Sequence, residues 1–245
     1  MKRIIAILLA LCCVFSVVAC DNKGGDSTGG QELDTLAKFS AMFASSVPTK
    51  SVTEVTEEFG GVTLNSVYTL TTGTANGKAT SIYTSSVETL NSIENAELKL
   101  KKTSKQEKWY YEGLGISTDK GRRWNADGVD FAPVAGSLAL NLKEEYIEFY
   151  EYKVNDATET LYLEVTYEYA TTVLSAFLND DQVIDEDVYI TVVAAGGRIT
   201  SMQIEYCVYQ HDVGSDDNSV VFDDMVVLID VSYSYDIQDI NITVD

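Results

Sequence analysis

Two runs of alternating character, Val188 to Ala194 and Ile199 to Val208, flank the glycine pair Gly196 and Gly197. A period of two puts every second side chain on one face of a strand, a pattern no helix can use, and paired glycines accept the positive φ angles of a tight hairpin turn. The hairpin therefore constrains the fold more than any other feature. Downstream, Val227, Ile229, Val231, Tyr233 and Tyr235 share one face, and Asp230, Ser232 and Ser234 the other. One side of the resulting antiparallel sheet is expected to meet water.

The same period recurs upstream. Val62, Leu64, Tyr68 and Leu70 alternate with Thr63, Asn65, Thr69 and Thr71, and strands are expected again at 80–90, 97–103 and 109–113. Gly121 marks a turn before Arg122, Arg123 and Trp124. Leu161, Leu163, Val165 and Tyr167 alternate with Thr160, Tyr162, Glu164 and Thr166. Helical spacing occurs twice: Leu33, Leu36, Phe39 and Phe43 within 33–46, and Ala170, Val173, Leu174, Phe177 and Leu178. The segment 128–142 follows neither period clearly. With no second linker and only two prolines, residues 32–245 are expected to form a single β-rich domain.

Ahead of this body, Lys2 and Arg3 precede an apolar run from Ile4 to Val18, which is secretory signal grammar. That run of about 15 residues falls short of the roughly 20 needed to cross a bilayer. Val17, Val18, Ala19 and Cys20 resemble the lipobox of bacterial lipoproteins. The resemblance implies a signal peptide over 1–19 and two acyl chains, palmitate-like, held through Cys20, a double anchor that binds stably where one chain binds only marginally. Residues 20–31 then read as the lipidated cysteine and a Gly-rich flexible tether. The expected location is the extracytoplasmic face of the cell membrane. Asp21 resembles an inner-membrane retention signal of some Gram-negative lipoproteins.

Cys12 and Cys13 leave with the signal and Cys20 carries lipid, so Cys207 alone remains and no internal disulfide can form. Loss of Lys2 and Arg3 takes the chain's charge of −21 to about −23, which argues against nucleic-acid partners.

The helix preceding a strand meander, the hairpin "VYITVVAAGGRITSMQIEYCV" and the closing strand "VVLIDVSYSYDIQDINI" together resemble the LolA-like and LppX-like lipoprotein-carrier superfamily and its Gram-positive lipoproteins. That resemblance implies a mainly β (α+β) fold: a strongly curved antiparallel sheet, an incomplete barrel, with one or two helices covering its concave face. It also implies a cavity for a hydrophobic or amphiphilic ligand. The alternative is a surface module with a packed core that meets a protein or glycan.

Nothing forms a catalytic constellation, and no enzyme activity or cofactor is expected. His211, in "QHDVGSDDNS", reads as an exposed loop histidine, since one histidine cannot build a multi-histidine zinc site. Two acidic groups, Asp180, Asp181, Asp185, Glu186 and Asp187, and Asp212, Asp216, Asp217, Asp223 and Asp224, offer the oxygen ligands calcium takes but lack its loop pattern. They read as solvated loops, with no metal site. Among the aromatics, Trp109, Tyr111 and Trp124 are the candidate ligand contacts, beside a possible anionic-headgroup role for Arg122 and Arg123. Tyr146, Phe149, Tyr150 and Tyr152 form a second cluster. Strand-face packing is the bland account of both. The body is expected to be monomeric.

Overall fold

The computed structural model describes residues 28–45, 47–75, 78–90, 93–94, 97–98, 101–111, 114–117, 122–125, 140, 142, 144–174, 183–184, 187–209, 211–213, 220–222 and 225–236. The chain divides into a short unit over 1–32, whose described part is the start of the first helix, and a compact unit over 33–245. Helix α1 runs Thr28–Ser45. The strands that follow are β1 (Lys50–Phe59), β2 (Val62–Ala75), β3 (Lys78–Leu90), the short pair β4 (Ile93–Glu94) and β5 (Glu97–Leu98), then β6 (Lys101–Tyr111), β7 (Leu114–Ser117) and β8 (Arg122–Asn125). The second half holds β9 (Ile147–Asn155), β10 (Thr158–Val165), helix α2 (Tyr167–Leu174), β11 (Val183–Ile184), β12 (Val188–Ala195) and β13 (Arg198–Tyr209). Last come β14 (His211–Val213), β15 (Val220–Phe222) and β16 (Met225–Ser234).

Twelve strands form one antiparallel sheet, with β8, β7, β6, β3, β2, β1, β16, β13, β12, β10 and β9 in spatial order and β11 pairing β13. The order ends at β8 and at β9, so the sheet is open. Its centre joins the first strand to the last: Ser51 lies opposite Tyr233, and Glu57 opposite Val227. Thr49 fastens this seam, its amide donating to the Ser234 carbonyl at 2.8 Å and its hydroxyl to the Asp236 carbonyl at 2.6 Å.

The two-residue period decides which face is covered. Leu161 and Leu163 of β10, Val188, Ile190 and Val192 of β12, Met202 and Ile204 of β13, and Ile229 and Val231 of β16 are buried beneath α1 and α2. Helix α1 buries Leu36, Phe39, Met42 and Phe43, a stripe at helical spacing. The Phe39 ring meets Tyr152 edge to face at 6.2 Å, and the Ser40 hydroxyl exchanges hydrogen bonds with the backbone of Leu142. Helix α2 buries Tyr169, Ala170 and Leu174, with Tyr169 stacked on Tyr146 at 4.6 Å. The predicted hairpin turn stands as read: Gly196 and Gly197 have φ of 59° and 75°. Gly60 and Gly61, at 53° and 79°, make a second such turn between β1 and β2.

Several boundaries differ from those the sequence suggests. The second helix ends at Leu174 instead of continuing through Leu178, and Phe177 and Leu178 lie outside the described residues. The expected strands at 97–103 and 109–113 are largely one strand, β6. Strand β1 has no counterpart among the expected elements. Its helix-side positions are Ser51, Thr53, Val55, Glu57 and Phe59, and three polar residues among these five hide the apolar period. On β13, Ile199 and Met202 both point inward because the register slips between Val193 and Ala194, a bulge that lets the inward face change parity.

Candidate functional site

The helix-bearing face changes character across the sheet. On β16, β13, β12 and β10 it is aliphatic and filled by side chains. Toward β1, β2 and β3 it becomes polar and aromatic: Ser51, Thr53, Ser66 and Ser85 are buried there, and Tyr68, Leu70, Tyr83 and Val87 are half-buried. The register brings them together, since Thr53 lies opposite Tyr68, Tyr68 opposite Ser85, and Leu70 opposite Tyr83. The Ser66 hydroxyl hydrogen-bonds the Tyr68 phenol, and Ser85 does the same for Tyr83.

Glu57 sits at the border between the two halves. Val227 lies opposite it on one strand and Tyr206 lies opposite Val227 on the next, so carboxyl and phenol flank one aliphatic side chain on the same face. Burial pushes the Glu57 carboxyl above the usual carboxylate range. Burial likewise raises Tyr206 and Tyr68, and the nearby Glu57 charge adds to both shifts. Tyr233 is raised by burial and then by Tyr235, and its hydroxyl is buried without a hydrogen-bond partner, as is the Thr53 hydroxyl. A carboxyl held toward its neutral form can donate as well as accept hydrogen bonds, and the side chains directly opposite Glu57 are the aliphatic Val227 and Leu64. On the same face Val87 lies one register row from Glu57, and the half-exposed Leu70 and Tyr83 lie three rows away, so that the face forms an amphiphilic strip running along the strands. Sequence reasoning missed it because β1 itself went unread.

The opposite face of β2, β3 and β6 carries an open depression of about 350 Å³ lined by Val67, Thr69, Thr84, Ser85, Ser86, Lys105, Gln106 and Glu107. Two cross-strand rows build its floor, Val67 with Ser86 and Lys105, and Thr69 with Thr84 and Glu107. Trp109 follows on β6, half-buried, and its indole N–H donates to the Glu107 carboxylate.

The residues singled out from sequence are distributed as follows. Trp109 and Tyr111 occupy alternate positions of β6, opposite Ile116 and Leu114 of β7. Trp124 of β8 lies opposite Gly115, which pairs with Tyr110, so it belongs to the neighbouring register row, one step from the row of Trp109, Ile116 and Arg123. Adjacent rows of a sheet alternate between its faces. Cys20 lies outside the described residues. His211 opens the short strand β14, opposite Phe222, and is not in a loop. Cys207, on β13, forms no disulfide and is half-buried, the strand thiol its neighbours suggested. Of the acidic groups, Asp187 joins Glu148 and Glu164, with one carboxylate oxygen from each within 4.8 Å of the others. Burial, then Asp187 and Glu148, raises Glu164. Asp180, Asp181, Asp185, Glu186, Asp216, Asp217, Asp223 and Asp224 lie outside the described residues. Among the described residues, no helix is long and apolar enough to cross a membrane.

No protein-family model matches the chain, and no curated protein matches it. Among solved structures it is similar to a DUF1329 family protein from Desulfovibrio piger, at 10% identity over 83% of this chain and 93% of that one, with a TM-score of 0.25. It is also similar to an N-terminal dehydratase from the difficidin assembly line, at 11% identity over 83% and 84% of the two chains, with a TM-score of 0.14. Likenesses this loose carry neither a fold nor an activity across.

Proposed function

We propose that this chain is an extracytoplasmic lipoprotein, cut before Cys20 and anchored to the cell membrane by lipid there, whose body binds an amphiphilic, lipid-like ligand and does not transform it. The LolA-like reading of the sequence supports the class of ligand. The observation that carries the proposal is Glu57, a carboxyl raised by burial at the border of an aliphatic core and a face that carries half-exposed tyrosines. Keeping a carboxyl buried there costs stability, and a ligand's polar end gives that cost a use. Its chain would lie along Leu70, Tyr83 and Val87. The space beneath α1 does not serve, because Phe39, Leu161, Val192, Ile204 and Ile229 already fill it.

A second reading has its own observation. The polar depression beside Trp109, with Lys105, Glu107, Thr69 and Thr84, suits a protein or glycan partner of an anchored surface module better than it suits an acyl chain.

The test is native mass spectrometry with lipid extraction, on protein expressed from Thr28 onward and exposed to host membrane extract. A stoichiometric acyl lipid that Glu57→Leu releases supports the carrier. A clean apo mass with no fluorescent fatty-acid uptake sinks it in favour of the surface module. Anchoring is tested separately: Cys20→Ser should abolish radiolabelled palmitate incorporation and move the protein from the detergent to the aqueous phase.

A further inference from the structure

Among the described residues the sheet is open, and one of its two ends is the nine-residue strand β9, Ile147–Asn155, which there pairs with β10 alone. Long open edges invite pairing with another chain. Side chains along this one are well exposed: Phe149 is 58% exposed, Val154 60%, and the Glu151 and Lys153 side chains 50% and 57%. Within the strand, Lys153 reaches back to Glu151 at 2.9 Å and lies over the Tyr162 ring at 4.9 Å. A lone lysine on an edge deters pairing, but a lysine two positions from a glutamate on the same face can satisfy a copy of itself.

We propose that β9 pairs antiparallel with β9 of a second copy, about a two-fold axis through Tyr152, to form a homodimer with one continuous sheet. The charges select this register. With the axis at Tyr152, Glu151 lies opposite the second copy's Lys153, and Lys153 opposite its Glu151, giving two equivalent cross-strand ion pairs. Moving the axis to Glu151 sets Glu151 against itself, and moving it to Lys153 sets two lysines together. An axis at Tyr150 leaves Lys153 against Ile147 and Glu151 against Phe149. The Tyr152 register also sets the exposed Val154 against Tyr150 of the second copy, and Phe149 against Asn155. Both copies keep their helices on the same side, as an isologous two-fold contact requires. The expectation of a monomer, drawn from sequence alone, took no account of a free edge of this length.

Sedimentation equilibrium on the chain from Thr28 onward, which includes the compact unit whole, reads the mass directly across a range up to about 0.5 mM, the upper end needed for a small interface. The expected result is a concentration-dependent dimer. Lys153→Glu sets like charges opposite at both contacts and should raise the dissociation constant by roughly 10-fold to 100-fold. The double exchange, Glu151→Lys with Lys153→Glu, restores opposite charges and should restore the dimer. Both positions are exposed, and circular dichroism verifies the fold of each variant. A monomer at every concentration overturns the proposal. So do a dimer indifferent to Lys153→Glu, a dimer that the double exchange fails to rescue, and open-ended oligomers, which would point to pairing of β9 with the β8 end.

Discussion

Thr53 offers the cleanest test of how the helix-bearing face is built. It is fully buried on β1, between Tyr68 and Val231, and its hydroxyl has no hydrogen-bond partner. Valine has the same shape and an equal liking for strands, so Thr53→Val exchanges an unsatisfied hydroxyl for a methyl without disturbing the backbone. Removing the unmet desolvation cost is worth about 1–3 kcal/mol. For a domain of this size each kcal/mol moves Tm by roughly 2–4 °C. Urea denaturation followed by circular dichroism should show a higher midpoint at unchanged slope, because the surface exposed on unfolding is the same. Thr53→Ser is the control. It keeps the hydroxyl and loses the methyl, and should cost about 1 kcal/mol. If Thr53→Val is instead less stable than the parent while Thr53→Ser is not, the hydroxyl has a partner and the reading of this face as under-satisfied is wrong.

Three further outcomes follow from the packing and charges. Phe39→Ala should cost about 3–5 kcal/mol, since it empties a fully buried site and forfeits the edge contact with Tyr152, whereas Phe39→Leu should cost clearly less; the urea midpoints decide. Burial raises the Glu57 carboxyl, so the folded chain holds that proton more tightly than the unfolded one, and stability falls as pH rises from the ordinary carboxylate range through the raised value. Glu57→Gln should therefore be more stable than the parent at pH 7 and should flatten that part of the pH profile; equal stability at pH 7 would contradict it. Glu159 is the opposite case: hydrogen bonds from Lys38 and then Tyr152 hold it below the usual range, so its contribution is present above the unfolded range and lost as pH falls through the lowered value. Because Lys38 is largely exposed, Glu159→Gln should cost only a few tenths to about 1 kcal/mol, less in high salt, and thermal melts at two salt concentrations measure it.

Reading residues two at a time recovered β10, β12, β13 and β16, since on each the inward positions are nearly all Val, Ile, Leu, Met or Ala. It recovered α1 as well, where Leu36, Phe39 and Phe43 recur at helical spacing, although the helix begins at Thr28 and not at Leu33. It failed where the inward face is polar. Ser51, Thr53 and Glu57 look like solvent-side residues, and only their partners across the sheet, Tyr233, Val231 and Val227, turn them inward. The candidate site was hidden for the same reason. Its members come from β1, β2, β3 and β13, brought together by pairings that no local pattern encodes. Strand β9 escaped notice because both its faces carry aromatic or charged residues, as an edge strand's can.

The central seam between β1 and β16 also bears on how the chain comes to be folded. A polypeptide leaves the ribosome, or a translocation channel, from its N-terminus. Until Met225–Ser234 has emerged, β1 and β13 have no common neighbour and the two halves of the sheet have nothing to join them. Pairing across so much sequence is slow, because the closure entropy must be met before the contacts form. During that interval Val55 and Phe59 of β1 face the same water as Ile204 and Met202 of β13. A chain that stops short of its last strand is thus two unfinished sheets with exposed seams, the form that proteases and chaperones are best placed to recognise.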